Sequence, residues 1–449
     1  MKYIEFKNQV IKIAEEKGLQ DFELYYTESE DISAEALMHE LTKFSTSKDQ
    51  GACFRCIFNG KMGYASTELF TEAEAVRIVE NAMENARVIE SEDRVFIYDG
   101  KDTYQKIEEA NTTEPSAKEL VTTVLELEQR LFQKEEKVKE GSEAFAGYGL
   151  VKFALCNSKG LDLSHSYNYS QLGAMVMVED KDEVYNGYKI LTDDFKKFDI
   201  DKLAADTAKK VMETIGSESV ETGTYDLIFS SEMMATMLST FFSSFSADAA
   251  RRGLSLFKGK EGEMVASPRV TIADDPFYEP SFIKIPFDGE GVATYRKNVL
   301  EKGKLVTLLH NLTTAFEAGV KSTGNGRKLG YASAVNVLPY NFLLEPGDAG
   351  TKEDIFKAVE RGIYITALNG LHAGANPTTG DYSLSAEGFL VEEGEKTRPV
   401  KNFTISGNFY ELLTKITLVG SDIKLNNPEG GVCFGAPTTV VEKVSVAGK

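Results

Sequence analysis

Histidine and cysteine are the first residues to test for chemistry, because imidazole and thiolate groups bind metals and activate nucleophiles. The chain has four of each: His39, His165, His310, His372, Cys53, Cys56, Cys156 and Cys433. The histidines are far apart, so a metal site made from them would have to be assembled by the fold. His39 and Glu40 begin the segment HELTKF, which lacks the second histidine of a zinc-binding HExxH or HExxxH motif. No pair of histidines therefore predicts a metal site by itself.

Cys53 and Cys56 form a CxxC motif within the segment GACFRCIFNGKMGYAS (51–66). A structural zinc site needs two further ligands, and the sequence offers neither a second CxxC nor a paired histidine motif. The segment alternates in the manner of a β-strand and contains an NGK turn. We therefore interpret both cysteines as strand residues.

The stretch LSTFFSSFSADAARRG (238–253) is rich in hydroxyl groups and predicts a helix that runs into a polar turn. A serine nucleophile needs a neighbouring base, and this stretch has no histidine and no GxSxG elbow. We interpret its serines and phenylalanines as packing residues of a helix.

The segment TGNGRKLG (323–330) is rich in glycine but matches neither GxGxxG nor a phosphate-binding P-loop. One interpretation is a loop that grips an extended peptide or a carboxylate through backbone N–H groups, the amide of Asn325 and the guanidinium of Arg327. The other is a plain turn between a helix and a strand. The residues alone leave both interpretations open.

Composition narrows the class of protein. Of 449 residues, 42% are hydrophobic and 27% are charged, which is typical of a soluble globular protein with a substantial core. The sequence has no apolar run long enough to span a membrane and no secretory signal pattern, so a cytoplasmic location is expected. The net charge of −20 argues against direct binding of nucleic acid.

Hydrophobic periodicity predicts mixed α and β structure in the first half. The predicted helices are 5–17, 71–89, 116–138 and about 200–215, and the predicted strand segments are 21–29, 32–47, 51–66 and 144–192. Thr71 is the expected cap of the second helix. The acidic stretch GSESVETGTYD (216–226) is the predicted boundary between domains.

The second half predicts short β segments separated by turns that contain Gly, Pro and Asn. Its predicted helices are 231–247, 352–361 and 411–416. The fold class expected from the whole chain is α+β. A mixed α/β N-terminal domain (1–218) is followed by a β-rich C-terminal domain (219–449).

Several phrases of the sequence, taken in order, resemble the TldD/PmbA (TldD/TldE) family, whose members are also called modulators of DNA gyrase. They are RRGLSLFKGKEGEMVAS (251–267), TGNGRKLGYAS (323–333), NFLLEPGD (341–348), GANPTTGDYSLSAEGFLVEEGE (374–395), ISGNFYELLTKITLVGSDI (405–423) and GAPTTVVEKVSVAG (435–448), with GACFRCIFNGKMGYAS near the start. The resemblance implies the fold class given above. It also implies relatedness to TldD, a metallopeptidase subunit with HExxxH on a helix before the RRG segment and a metal-binding cysteine near its C-terminus.

The resemblance also locates the metal motif of TldD on this chain. Counted back from Arg251, the first histidine falls at Leu238, the glutamate at Ser239 and the second histidine at Ser243. No histidine lies between 166 and 309, so a shift in register does not restore the motif. Cys433 either matches the metal-binding cysteine or is a plain strand residue, and the second interpretation is favoured. The chain is therefore expected to bind no zinc.

The segment GLHAGANPTTGDYS (370–383) resembles the PmbA/TldE form, the non-catalytic subunit that pairs with TldD. His372 also lies in this segment, and it is not expected to bind a metal. The 374–383 loop, with Asn376 and Asp381, is expected to position peptide together with Asn325 and Arg327.

The resulting hypothesis is a TldE/PmbA-like subunit of a cytoplasmic metallopeptidase assembly that acts on unfolded or small peptides. A TldD-like partner would supply HExxxH and zinc, and this chain would help to form the peptide chamber. The alternative is a homodimeric scaffold that binds a peptide or small ligand without peptidase activity. A direct regulator of DNA topology and an autonomous hydrolase are less favoured, because the charge and the missing ligands argue against them.

Overall fold

In a computed structural model that describes residues 1–91, 93–107 and 112–449, the first half of the chain forms one six-stranded sheet. Its strands are β1 (Phe22–Leu37), β2 (Glu40–Phe58), β3 (Lys61–Thr67), β4 (Glu143–Asn157), β5 (Asp162–Asp180) and β6 (Glu183–Asp193). They lie in the order β3-β2-β1-β4-β5-β6, and each neighbouring pair is antiparallel. Cys53 and Cys56 lie on β2 and are buried, as predicted for strand residues.

Within the described ranges, four α-helices cover this sheet: α1 (Tyr3–Glu16), α2 (Glu72–Val88), α3 (Ala117–Lys134) and α4 (Ile200–Met212). The helices α1 and α2 pack with β1 and β2 around one apolar cluster, whereas α3 and α4 pack around a second. Two of these helices begin directly after residues that cap them. Thr71 accepts a hydrogen bond from the backbone of Glu74, and Ser116 forms a reciprocal capping box with Glu119.

The cap at Ser116 supplies one of the testable predictions. The Ser116→Ala substitution removes the acceptor for the Glu119 N–H and is expected to lower the free energy of unfolding by about 1 kcal/mol. Urea denaturation followed by circular dichroism measures the change. Lys118→Ala, an exposed substitution on the same helical turn, is the control and should change stability by less than about 0.5 kcal/mol. Equal effects of the two substitutions would contradict the assignment of the cap.

The predicted strand 32–47 is wrong, because this segment contains a tight hairpin turn. Met38 and His39 adopt φ values of 55° and 62°, and Leu37 pairs with Glu40. The turn lacks the glycine or asparagine that would mark it in a sequence. It is held instead by buried Glu128 of α3, whose carboxylate lies 3.0 Å from both the backbone N and the ring Nδ1 of His39. A contact distant in sequence therefore determines where the strand ends.

One edge of this sheet is bare over part of its length. Strand β3 pairs only with residues 52–58 of β2, whereas residues 40–50 pair with β1 on their other side. Among the described residues no further strand adds to this part of β2, and all eleven of these residues are exposed. We call residues 40–50 the free edge.

The second half of the chain forms three further sheets, made only of residues from 223 to 447. Their orders are β10-β9-β8-β13-β19-β18, β16-β15-β14-β7-β20-β17 and the pair β11-β12. The strands are β7 (Gly223–Phe229), β8 (Ile272–Asp274), β9 (Lys297–Glu301), β10 (Lys304–Leu305), β11 (Gly326–Arg327), β12 (Asn336–Val337), β13 (Asn341–Leu344), β14 (Gly362–Asn369), β15 (Asp381–Glu392), β16 (Glu395–Asn408), β17 (Ile416–Val419), β18 (Lys424–Leu425), β19 (Cys433–Ala436) and β20 (Thr439–Ala447).

Short helices accompany these strands: α5 (Ser231–Phe241), α6 (Ala247–Arg251), α7 (Leu312–Ala318), α8 (Lys352–Val359), α9 (Leu371–Gly374) and α10 (Phe409–Thr414). The chain thus has the expected α+β class, with a mixed α and β first half and a β-rich second half. The domain boundary between 218 and 219 stays a prediction. No helix among the described residues is both long and apolar enough to cross a membrane.

The helix that was predicted to span 231–247 ends earlier, at Phe241. After α5 ends, Phe242–Phe245 form a 3₁₀ turn, and Ser246 begins α6 by accepting a hydrogen bond from the Ala249 N–H. The break lets the phenylalanines on either side of it pack against different rings. Phe241 stacks on Phe409 with ring centroids 4.6 Å apart, and Phe245 lies 5.3 Å from Phe342. The aromatic core therefore ends the helix, and the serine serves as a cap.

Candidate functional site

The residues that the resemblance assigns to the places of the TldD metal motif lie on α5 and just after it. Leu238 is 1% exposed and belongs to the core of the second half. Ser239 is half-buried on the same helix, and half-buried Ser243 lies in the 3₁₀ turn. A hydrocarbon side chain and two hydroxyl groups do not supply the nitrogen, sulfur or carboxylate ligands that zinc requires. The part of the chain that the structure describes contains no group of three or more His, Cys, Asp or Glu placed to hold a metal ion.

Cys433 points away from α5. Neighbouring residues of a strand face opposite sides of a sheet, and the ring of Phe434 lies 5.7 Å from Phe242, next to α5. The thiol of Cys433 is on the other side, 3.8 Å from the hydroxyl of Ser281. Burial raises the pKa of this thiol to about 11, which keeps it protonated at neutral pH. Cys433 and Leu238 therefore do not contribute to one site.

His372, Asn376 and Asp381 are all exposed and lie in and around one turn. The side-chain oxygen of Asn376 accepts hydrogen bonds from the backbone N–H groups of Thr378 and Thr379. The carboxylate of Asp381 accepts from the Asn408 amide at 2.9 Å, and bonds from Asn408 and Thr379 lower its pKa. The side chains of Asn376 and Asp381 therefore hold the turn through hydrogen bonds.

Asn325 lies entirely inside the protein, with 0% exposure. Its Nδ2 donates to Asp274 Oδ2 at 2.7 Å and to the Leu338 carbonyl at 3.0 Å. Its Oδ1 accepts from Lys297 Nζ at 3.1 Å and from the Thr323 hydroxyl at 2.7 Å. The whole amide is thus occupied, and it anchors the 323–330 loop on the buried ion pair of Asp274 and Lys297.

Arg327, two residues further along the same loop, faces a cavity of about 390 Å³. The cavity lies between the strands β1, β4 and β5 of the first half and the loops 285–289, 327–331 and 430–431 of the second. The guanidinium lies 4.8 Å above the Tyr340 ring, and its Nη1 donates to the carbonyls of Pro339 (2.9 Å) and Gly431 (2.7 Å). These contacts fix the direction of the charged group.

Lys328 also lines this cavity, although no sequence pattern singles it out. Its side chain is 1% exposed, and Nζ has no hydrogen-bond partner among the described residues. Nζ lies 4.3 Å from the centre of the Tyr25 ring and 3.5 Å from Glu23 Oε1. Burial, together with the neighbouring Arg55, lowers the pKa of this lysine.

Glu23 and Arg55 form a buried ion pair beneath the cavity. The Arg55 Nε lies 2.8 Å from Glu23 Oε1, and Nη2 donates to Oε2 at 3.0 Å. Both side chains are almost completely buried on adjacent strands, at 0% and 3% exposure. A charged residue in a strand more often faces solvent, so alternation alone does not reveal this pair.

Asp288 is a further lining residue that the sequence did not indicate. It is 2% exposed and accepts backbone hydrogen bonds from Glu290, Val292 and Gly326. Burial and the nearby carboxylate of Glu290 raise its pKa above the usual range, against these donors. The acid–glycine segment DGEG (288–291) is the only signal in the sequence that could have drawn attention to it.

Of the residues predicted to position peptide, the structure thus places Arg327 on the cavity and Asn325 behind it. Asn376 and Asp381 lie elsewhere, as do Leu238, Ser239 and Ser243. The cavity combines two buried cations with aromatic walls and reaches the surface beside Asp49 and Gln50, which are both exposed. Such a site is suited to binding, because the cations can pair with an anion and the aromatic side chains can contact an apolar group.

Three domain models of the PmbA/TldA metallopeptidase match the sequence. Domain 1 matches residues 22–86, the central domain matches 110–215 and the C-terminal domain matches 222–448. A metalloprotease of Methanothermobacter thermautotrophicus is 30% identical over 244 residues, which cover 53% of this chain and 51% of that protein. The alignment therefore spans about half of each protein.

Solved structures agree with this match. A Thermotoga maritima protein described as a candidate modulator of a DNA gyrase is 30% identical and superposes with a TM-score of 0.91 over 99% of this chain and 100% of that one. TldE from Thermococcus kodakarensis is 23% identical, with a TM-score of 0.89 over 98% and 99% of the two chains. At that identity the second likeness concerns the fold alone.

Proposed function

Because this chain belongs to the PmbA/TldA metallopeptidase family, as its resemblance to TldD/PmbA sequences predicted, we propose that it is the TldE/PmbA-like subunit of a metallopeptidase assembly. It would contribute to binding unfolded or small peptides and would not itself cleave them. A TldD-like partner would supply the HExxxH motif and zinc, and the assembly would be cytoplasmic.

The observation that carries this proposal is the chemistry of α5 and the turn after it. By the resemblance, Leu238, Ser239 and Ser243 stand where TldD has two metal ligands and a general base, and these side chains are not suited to those roles. Cys433, the remaining candidate ligand, faces the opposite side of its sheet. The residues present therefore do not fit zinc, and no catalytic step through a metal is derived for this chain.

Two features support a role in holding peptide. The free edge of β2 presents unpaired backbone groups to which an extended peptide can add as a further strand. Asp49 and Gln50 at the end of this edge also line the cavity that contains Arg327. A peptide placed along the edge would therefore run towards that cavity, and both features would form part of the wall of a chamber.

The alternative function is a homodimeric scaffold that binds a peptide or small ligand and has no peptidase partner. The observation in its favour is that the cavity is built from one chain, with Arg327 and Lys328 already buried and oriented. A genome that encodes this chain but no family member with HExxxH would favour the scaffold. A neighbouring gene for such a member would favour the assembly.

The proposal predicts that the purified chain binds almost no zinc. After exposure to zinc and thorough desalting, elemental analysis should find less than about one-tenth of an equivalent per chain. A zinc peptidase with an intact motif, taken through the same steps, is the control and should retain close to one equivalent. Close to one equivalent in this chain would contradict the proposal.

The second part of the test concerns assembly. The chain and a family member with HExxxH should co-elute in size-exclusion chromatography, and a fluorogenic unfolded peptide should be cleaved faster by the mixture than by either protein alone. Self-association of this chain without any effect on such a member would favour the homodimeric scaffold.

A further inference from the structure

The cavity beside Arg327 contains donors that the protein does not use. Within the described residues both hydrogen bonds of the guanidinium come from Nη1, so the Nε–H and Nη2–H groups remain available to a ligand. Glycine at 431 keeps this side open, because a Cβ there would lie 2.8 Å from Arg327 Nη2 and 3.0 Å from the Tyr167 hydroxyl. The guanidinium is thus both held in place and accessible.

The ammonium group of Lys328 is the second unused donor. Its nearest acid, Glu23, also forms an ion pair with Arg55, and the two cations share the charges of buried Glu23 and Glu290. Lys328 has no hydrogen-bond acceptor of its own among the described residues. Burying a cation without a hydrogen-bond acceptor is costly. An anionic ligand in the cavity would provide the missing acceptor.

The acidic side chains on the cavity wall either have other partners or lie at the mouth of the cavity. Asp288 accepts three backbone hydrogen bonds, and Glu28 lies 3.2 Å from both Lys48 and Lys152. Asp49 is exposed at the mouth and does not oppose the buried cations from inside. The interior therefore favours a negatively charged group beside Arg327 and Lys328.

Much of the remaining wall is apolar or aromatic. Phe153, Tyr167, Tyr169, Ile285 and Phe287 all line the cavity together with the two cations. A volume of about 390 Å³ accommodates a group of the size of an amino-acid residue and part of its neighbour. The cavity thus offers cations for an anion and apolar surface for an aromatic or branched side chain.

We propose that this cavity binds an organic carboxylate that carries an aromatic or branched apolar group, as the C-terminal residue of a peptide does. Arg327 donates through Nε and Nη2, Lys328 donates through Nζ, and the aromatic wall contacts the side chain. The inference deepens the proposed function by naming what this chain recognises, but binding to the isolated chain requires neither zinc nor a partner.

Isothermal titration calorimetry of the full chain with N-acetyl-phenylalanine tests the proposal. Saturable binding is expected, and N-acetyl-phenylalanine amide, which lacks the carboxylate, should bind at least about tenfold more weakly. Acetyl-Ala-Ala-Phe distinguishes the two sources of the carboxylate. Tighter binding of this tripeptide than of the single residue identifies a peptide terminus, and tighter binding of the single residue identifies a small free acid. Absence of binding by both up to millimolar concentration would overturn the proposal.

The variant Lys328→Met removes the charge but keeps a chain of similar length, and it leaves Glu23 paired with Arg55. It should fold, with an unfolding midpoint no lower than that of the parent, and should bind N-acetyl-phenylalanine about tenfold or more weakly. Lys118→Met, at an exposed position of α3, is the matched control and should bind like the parent. Unchanged affinity in a folded Lys328→Met variant would overturn the role of this lysine.

The two proposals fail separately. Loss of carboxylate binding with intact co-elution and peptidase stimulation would reject only the cavity assignment. Carboxylate binding without any effect on an HExxxH-containing member would reject only the peptidase assembly.

Discussion

Substituting Asp274 with alanine is expected to lower the free energy of unfolding by about 3–5 kcal/mol, because it leaves a buried cation without its partner. Asp274 is 0% exposed, and its Oδ2 accepts from Lys297 Nζ at 3.0 Å and from Asn325 Nδ2 at 2.7 Å. Its Oδ1 accepts from the Tyr340 backbone at 2.7 Å. The substitution thus removes an ion pair and two hydrogen bonds at the base of the 323–330 loop.

Urea denaturation monitored by tyrosine fluorescence and by circular dichroism measures this loss. The informative control is the double variant Asp274→Ala with Lys297→Met, which no longer contains the unpaired cation. It should be more stable than the Asp274→Ala variant although it carries one more substitution. A loss below about 1 kcal/mol in the single variant, or simple additivity in the double, would contradict this account.

The Gly63→Ala substitution should destabilise the first half of the chain by about 3 kcal/mol, since β3 approaches the backbone of α2 at this residue. An added Cβ would overlap the carbonyl oxygen of Ala82 and would lie 2.7 Å from the Ala86 nitrogen. Neither group is the mobile end of a side chain. The strand and the helix would therefore have to separate, which exposes the apolar face of α2.

Gly147→Ala is the matched control, because Gly147 also lies within a strand of the same sheet. A Cβ at this position meets no atom closer than 3.7 Å, which is ordinary contact. Its effect on the melting temperature should correspond to less than about 1 kcal/mol. If the two variants have the same melting temperature, the close packing of β3 on α2 is not the reason for glycine at position 63.

Sequence patterns predict the local elements of this fold well where a physical signal lies within the segment. The helix at 71–89 has both a periodic apolar face and a capping threonine, and the structure begins it at Glu72. The turn at Met38 and His39 has no such signal, since it depends on Glu128, 89 residues away. The end of α5 likewise depends on how Phe241 and Phe245 pack with distant aromatic rings.

The candidate site is predicted from sequence only in part, for a similar reason. The loop with Arg327 stands out by its glycines, and the structure does bring that arginine to a cavity. Asn325 stands out equally, yet its amide forms hydrogen bonds with Asp274 and Lys297 inside the protein. A polar side chain either forms its hydrogen bonds within the protein or remains available to a ligand. Which of the two occurs depends on partners from other segments, and local patterns carry no information about those partners.

The free edge of β2 also bears on how the protein behaves at high concentration. Unpaired strand edges can pair with identical edges of other molecules and so start aggregation. Lys43 and Lys48 lie on this edge together with Glu40 and Asp49, and both lysines form ion pairs with acids of β1 (Glu35, Glu28 and Glu30). Charged side chains on an edge strand, lysine in particular, are one of the means by which proteins limit such pairing. The strand can therefore remain accessible to a peptide while the charges discourage stacking of the protein on itself.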